Sequence, residues 1–250
     1  MVVIVYAIGR SGSGKSTAVR YIKQLATDKN FSSAAISDYA TLLTMSKQEE
    51  FKEKFRTNEY KGFDVCDFSV MDIAFEELIS NIKRLDASQD YDVIFVEFAR
   101  DTYREAFRKL DSASLLKNAY ILFVEASLDI CVERIYKRVF KDHGPDYHFL
   151  SEKIMRTYFQ QDHLSDISSD FENWFDIHQY HLKVIRNEGS ERALETDVKD
   201  ITEHIFQEIL SQWKIDDEIK STQIANSQVE ARSEAFEDAK HTEINFLIKC

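Results

Sequence analysis

At 250 residues the chain can bury one good hydrophobic core with room for an insertion or appendage, and 44% hydrophobic with 30% charged residues describes an ordinary soluble globular protein. A formal net charge of −12 argues against binding nucleic acid or an anionic membrane through bulk electrostatics, while leaving room for a local basic pocket for a phosphorylated substrate. Three widely separated cysteines (Cys66, Cys131, Cys250) offer neither metal-ligand spacing nor a disulfide framework, which points to a reducing, cytoplasmic setting.

The first twenty residues organise the rest. Val2 to Ile8 is apolar and largely β-branched, the pattern of a short buried strand. It is too short and lacks the basic lead of a signal segment, and no stretch of the chain approaches transmembrane length. It runs directly into Gly9-Arg10-Ser11-Gly12-Ser13-Gly14-Lys15-Ser16-Thr17, a complete phosphate-loop pattern. Glycines let successive backbone N–H groups turn inward around an anion, where a Cβ would clash or forbid the dihedrals. Three of the chain's six glycines fall here, between a strand and a helix, which sets aside a chance Gly/Ser turn. The candidate nucleotide-binding residues are therefore Gly9, Ser11, Gly12, Ser13, Gly14, Lys15, Ser16 and Thr17. In that motif Lys15 reaches the β and γ phosphates of ATP or GTP, and the Ser16 hydroxyl is placed to ligate Mg²⁺. Ala18 to Leu25 continues as a helix whose N-terminus adds partial positive charge beneath the phosphates.

Phe31 to Ser37 has weak strand character and leads into Asp38-Tyr39; the charge-rich Thr41 to Lys61 reads as exposed helix. Ser69-Val-Met-Asp72 has the form of a capping box opening a helix with Val70, Ile73, Ala74, Leu78, Ile82 and Leu85 at helical spacing. Tyr91 to Val96 is a buried strand ending on Glu97-Phe98-Ala99-Arg100, and a helix is expected over Thr102 to Leu110. Tyr120 to Val124 is a further strand, after which Ser127 is placed to cap a helix presenting Arg134 and Arg138 four residues apart. Val139 to Leu150, with the chain's single proline, reads as a loop; helices follow at Ser151 to Gln161 and around Asp170 to Gln179. Leu182 to Ile185 is a last strand, closed by Arg186-Asn187-Glu188-Gly189-Ser190 and a helix from Glu191 to Trp213. Strands alternating with helices predict an α/β fold, a parallel sheet of about five strands covered on both faces, with ligands at the carboxyl ends of the strands. Residues 1–213 form the expected domain, with 38–68 as acceptor region and 139–150 as lid; 214–250 is a polar appendage.

In this order the chain resembles the P-loop kinases of the nucleoside monophosphate kinase type. Val96-Glu97-Phe98-Ala99-Arg100-Asp101 is similar to the Asp-Gly-Phe-Pro-Arg segment of adenylate kinases, lacking its glycine at Glu97 and its proline at Ala99. The resemblance implies that Arg100 holds an acceptor's phosphate and that Arg134 and Arg138 act as lid arginines on the moving phosphoryl group. It likewise implies that Val184 to Ser190, with Asn187 and Gly189, meets the base of the nucleotide. Asp38 sits where kinases of small hydroxyl compounds, such as gluconate or shikimate kinases, carry a carboxylate beside the acceptor hydroxyl.

Each residue has a plainer alternative. Arg134 and Arg138 are also what a charged helix surface looks like, and Arg100 a strand-end ion pair. Glu97 either holds the Mg²⁺ water shell or pairs with Lys15 or Arg100. Asp38 is a general base only if the acceptor is a hydroxyl, and otherwise a helix cap. Asp142, His143, Asp146 and His148 read as solvated loop polarity rather than a metal site. The expectation is an ATP/Mg²⁺-dependent phosphotransferase acting on a small molecule, with the ordered Arg100 match favouring a phosphorylated acceptor. Its rivals are a nucleotide-binding regulator that switches a protein partner, and a kinase of a macromolecule-bound group such as an RNA end. Acceptor identity and oligomeric state stay open.

Overall fold

The computed structural model describes residues 2–60, 62–117, 119–139, 149–159, 181–211 and 213. The chain divides into two units, Met1–Glu203 and His204–Cys250. The first carries the sheet and every element below, apart from the last eight residues of the closing helix, α7, which spans 191–211. Residues 140–148 of the loop expected at 139–150, the helix expected around 170–179 and the appendage at 214–250 lie outside the described residues.

Five strands form one parallel sheet: β1 (Val3–Ile8), β2 (Ser33–Ser37), β5 (Val93–Phe98), β6 (Tyr120–Glu125) and β7 (Leu182–Arg186), in spatial order β2-β5-β1-β6-β7. The expected fold class is the observed one. β1 is buried along its whole length because it lies at the centre, paired with β5 on one side and β6 on the other. A strand buried on both faces has no polar alternation, which is why its sequence reads as a continuous apolar run. Alternate residues Ile4, Tyr6 and Ile8 join Ile94, Val96 and Phe98 in a core covered by Phe75, Leu78 and Ile82 of α3 (Ser69–Ser88) and Phe107 and Leu110 of α4 (Tyr103–Ser112). The fully buried Tyr6 satisfies its hydroxyl by donating to the Leu115 carbonyl oxygen at 2.9 Å. α1 (Lys15–Asp28) touches β1, β2 and β5 and contributes nothing to that core, so it covers the opposite face through Ala18, Val19 and Ile22.

The chain reverses direction across the sheet at β1, so the crevice for a ligand opens beyond its carboxyl end. Register fixes what shares that rim. Ile8 stands beside Phe98 and Phe123, and Ser37 beside Glu97.

The segment expected to be one exposed helix is instead α2 (Asp38–Met45), a 3-10 turn (Glu49–Lys54), and a hairpin of β3 (Phe55–Thr57) with β4 (Phe63–Val65). Phe55, Phe63 and Val65 are buried with Leu42, Met45 and the start of α3, and this burial overrides the charged Glu49–Lys54 stretch that suggested a solvated helix. The capping box is also corrected. Asp67, not Ser69, serves the helix start: its carboxylate accepts from the Ser69 N–H at 3.0 Å, and that bond together with Lys54 holds the carboxyl down at about 2. Ser127 directs its hydroxyl to Glu188 rather than capping α5 (Leu128–Val139). Ser151 does cap, accepting from Ile154 N–H at the head of α6 (Glu152–Tyr158).

Candidate functional site: a phosphate loop beside an apolar cavity

The loop from Gly9 to Gly14 leaves β1 with three residues in positive-φ backbone: Gly9 at 139°, Gly12 at 84° and Gly14 at 107°. Two of these are locked by close approach as well. A Cβ at Gly9 would lie 2.2 Å from the Val124 carbonyl oxygen, and one at Gly12 would lie 2.6 Å from that of Cys131. Glycine is needed for packing between β6, α5 and the loop, beyond the dihedrals. Tyr103, buried at the head of α4, accepts from the Gly9 N–H through its hydroxyl at 2.8 Å. Arg10 donates to the carbonyls of Ala126 and Phe159 at 3.0 and 3.1 Å.

Lys15 is buried, and its Nζ donates to the Arg10 carbonyl at 2.8 Å, closing the loop on itself. Burial lowers its pKa; the carboxylates of Glu97 and Asp38 oppose that shift, and the Arg138 charge adds to it. Ser16 donates its hydroxyl to Glu97 Oε1 at 2.8 Å. A hydroxyl and a carboxylate side by side are hard oxygen donors, the type Mg²⁺ takes together with phosphate oxygens. Among the described residues no cluster of three or more His, Cys, Asp or Glu forms a self-sufficient metal cage, so a cation here would draw on the nucleotide for part of its shell. Ser13 Oγ, fully buried, is left without a hydrogen-bond partner. An orphaned hydroxyl in the middle of a phosphate loop fits a ligand that brings acceptor oxygens. Thr17 lies half-buried in the first turn of α1.

On the other flank the loop is tied to the end of β7. Asn187 Nδ2 donates to the Ser13 carbonyl at 2.7 Å, while Arg134 of α5 donates to that carbonyl at 3.4 Å, to Asn187 Oδ1 at 3.3 Å and to the Gly189 carbonyl at 3.0 Å. Arg134, Asn187 and Gly189 are thus brought together with the loop as one network. Arg138, one turn further on, is half-buried and near enough for its charge to act on Lys15. The two arginines have different positions. Arg134 braces the loop, and Arg138 adds positive charge near Lys15.

Asp38 and Arg100, which the sequence offers as competing guides to the acceptor, form a single buried pair. Arg100 Nη1 donates to Asp38 Oδ2 at 2.6 Å and to the Ala99 carbonyl at 2.8 Å, Nη2 donates to the Met71 carbonyl at 2.9 Å, and the guanidinium lies 4.7 Å from the Phe75 ring. With both side chains under a tenth exposed, the pair is fixed in place. Asp38 Oδ1 has no partner among the described residues.

Between this pair and the phosphate loop lies a cavity lined at one end by Ser11, Lys15, Ser37, Asp38 and Glu97. Its walls are apolar: Leu42 of α2, Phe63 and Val65 of the hairpin, Met71 of α3, and Phe149 and Tyr158 beside and on α6. Sequence reading did not find these wall residues, nor Arg10 and Tyr103 as braces. The available signal was the alternation Phe63-Asp64-Val65, whose middle residue is a buried carboxylate accepting from Ser151 N–H at 2.9 Å, stitching the hairpin to the head of α6.

No protein-family model and no curated protein matches the sequence. Solved structures do. A gluconokinase from Sinorhizobium meliloti 1021 superposes with a TM-score of 0.50 at 13% identity, over 84% of this chain and 97% of that one. The five-stranded parallel α/β fold is shared with that gluconokinase. The crystal structure of APE1195 matches at 15% identity and a TM-score of 0.46, over 83% of this chain and 97% of that one. At 13% identity the likeness to the gluconokinase speaks for the fold alone, and the chemistry rests on the site. Among the described residues no helix is long and apolar enough to cross a membrane.

Proposed function

We propose that this chain is a P-loop kinase, an ATP- or GTP- and Mg²⁺-dependent phosphotransferase acting on a small molecule in the cytoplasm. The observation that carries the reading is a second compartment: the buried Lys15, with Glu97 that accepts from Ser16, borders an apolar-walled cavity that also presents Asp38. A loop that served only to switch a protein partner has no need of such a compartment.

In this reading Gly9 to Gly14 surround the triphosphate with backbone N–H groups, Ser13 gains the partner it lacks, and Lys15 exchanges the Arg10 carbonyl for the β and γ phosphates. Ser16 and Glu97 would hold Mg²⁺, Ser16 directly and Glu97 through its water, and the bound ion would supply neutralisation of the charge that develops on the phosphoryl oxygens. Arg138 adds charge on the same side as Lys15. Asn187 and Gly189, braced by Arg134, border the base. Residues 1–213 constitute the catalytic domain, with 214–250 appended to it.

The test is ATP turnover by the full chain against a library of metabolites, followed as ADP release and as label transferred. Turnover that depends on an added acceptor is the expected result. ATP binding with only slow, acceptor-independent hydrolysis would instead support the regulator.

A further inference from the structure

We propose that the acceptor is an uncharged alcohol with an apolar body, seated in the cavity beside Lys15 with its hydroxyl on Asp38. This rests on the phosphotransferase reading above and names its substrate class. Three observations carry it: the walls, the charge balance and the geometry of Asp38.

Beyond the rim at the strand ends, the cavity is lined by Leu42, Phe63, Val65, Met71, Phe149 and Tyr158. The Tyr158 hydroxyl lies close to Asp101, which is not among the lining residues. A polyhydroxylated acceptor would have to leave its hydroxyls unpaired against such walls, which is costly for each group buried. An apolar body, by contrast, gains by leaving water there.

Charge points the same way. Among the described lining residues Lys15 is the single cation, facing the carboxylates of Asp38 and Glu97, and its place is on the donor phosphates. An acceptor carrying its own phosphate or carboxylate would bring a second anion beside the γ phosphate, and among the described lining residues there is no second cation to face it. Arg100, the residue whose sequence context suggests that task, does not line the cavity. Its hydrogen bonds go to Asp38, Ala99 and Met71.

Those bonds give Asp38 its geometry. Oδ2 is pinned by Arg100 at 2.6 Å, so Oδ1 is left to the cavity at a fixed angle. An alcohol bound there donates its O–H to Oδ1. The alcohol oxygen forms a bond to the γ phosphorus as the bond from that phosphorus to the β,γ-bridging oxygen breaks. The hydroxyl proton passes to Asp38 and then to solvent. The products are a phosphate monoester, ADP and one proton.

The experiment gives the full-length wild-type chain ATP and Mg²⁺ with 2-phenylethanol, cyclohexanemethanol and 1-naphthalenemethanol. Gluconate, AMP and CMP form the comparison set. The readouts are ADP release and the mass of the phosphate monoester, with binding of a fluorescent ATP analogue measured in parallel. The expected result is a kcat/KM for at least one apolar alcohol that exceeds every member of the comparison set by about 10-fold or more. Faster transfer to gluconate, AMP or CMP overturns the substrate class while leaving the kinase reading intact. Analogue binding with no apolar alcohol accepted overturns it too. Absence of analogue binding removes the kinase reading and this inference with it. In Asp38→Asn, transfer to the accepted alcohol should fall by about 10²-fold or more in kcat with analogue binding retained.

Discussion

The proposed donor side and the proposed acceptor side of this site are built by different physics. On the donor side, long polar side chains reach for main-chain carbonyls: Lys15 to Arg10, Asn187 and Arg134 to Ser13, and Arg10 to Ala126 and Phe159. Each of these bonds fixes a distance and a direction. On the acceptor side, rings lean on rings. Tyr39 stacks on Phe63 at 5.8 Å, Phe55 meets Phe63 edge-on at 5.4 Å, and Phe68 stacks on Tyr158 at 4.5 Å. Packing of this kind specifies a volume, and many residue combinations can fill the same one. A phosphate has one shape, so a loop built to hold one tolerates little variation. An acceptor cavity is free to be rebuilt.

The division can be broken most sharply at Lys15. Lys15→Ala should lower turnover by roughly 10³-fold, about 4 kcal/mol at the transition state, in a protein that keeps its circular dichroism spectrum. Near-normal turnover in that variant removes the donor site from the loop. The complementary probe is Phe63→Ala, which opens a hole among buried rings and should cost about 3 kcal/mol in urea unfolding. Its kinetic signature should be a raised KM for the acceptor with nucleotide affinity nearly unchanged. If both affinities fall together, the two sides are not separable.

A smaller effect should distinguish the two arginines of α5. Arg134→Ala, by releasing the Ser13 and Gly189 carbonyls, should raise KM for ATP about 10-fold with a modest change in kcat. Arg138→Ala should do the reverse, because its charge acts beside Lys15 rather than on the loop's shape. Equal kinetic patterns in the two variants would merge their roles. The smallest effect expected is on pH. Burial lowers the Lys15 pKa, so the ammonium is lost at lower pH than for an exposed lysine, and ATP affinity should decline on the alkaline side. Nucleotide phosphates favour the charged form, so binding near that pH should take up a proton, measurable as a dependence of binding heat on the buffer.

The donor side was legible because it is written in adjacent residues. Gly9 to Thr17 is one motif, and the three central strands β1, β5 and β6 announce themselves as apolar runs, whereas β2 and β7 at the edges carry a weaker signal. Arg134 and Arg138 showed as a pair at helical spacing, but nothing in that spacing says which one grips the loop. The Asp38–Arg100 pair joins residues 62 apart, and no local pattern encodes it. The hairpin was hidden for a different reason: each strand is three residues long, too short for alternation to stand out against Glu49 to Lys54. The acceptor walls come from α2, the hairpin, α3 and residues 149–159, so their shared purpose exists only after folding.

Tyr6, at the centre of the sheet, sets a limit of another kind. Its phenol is buried against Phe98 and Phe107, and burial pushes its pKa far above the ordinary value, as it does for Tyr103 under the phosphate loop. The folded chain therefore holds these two protons more tightly than the unfolded chain does, so their contribution to stability is complete below about pH 10 and declines above it. Each should subtract up to about 1.4 kcal/mol per pH unit beyond that point. In an alkaline titration the phenolate absorbance of these two residues should appear only as the sheet itself comes apart, which makes them internal indicators of global unfolding.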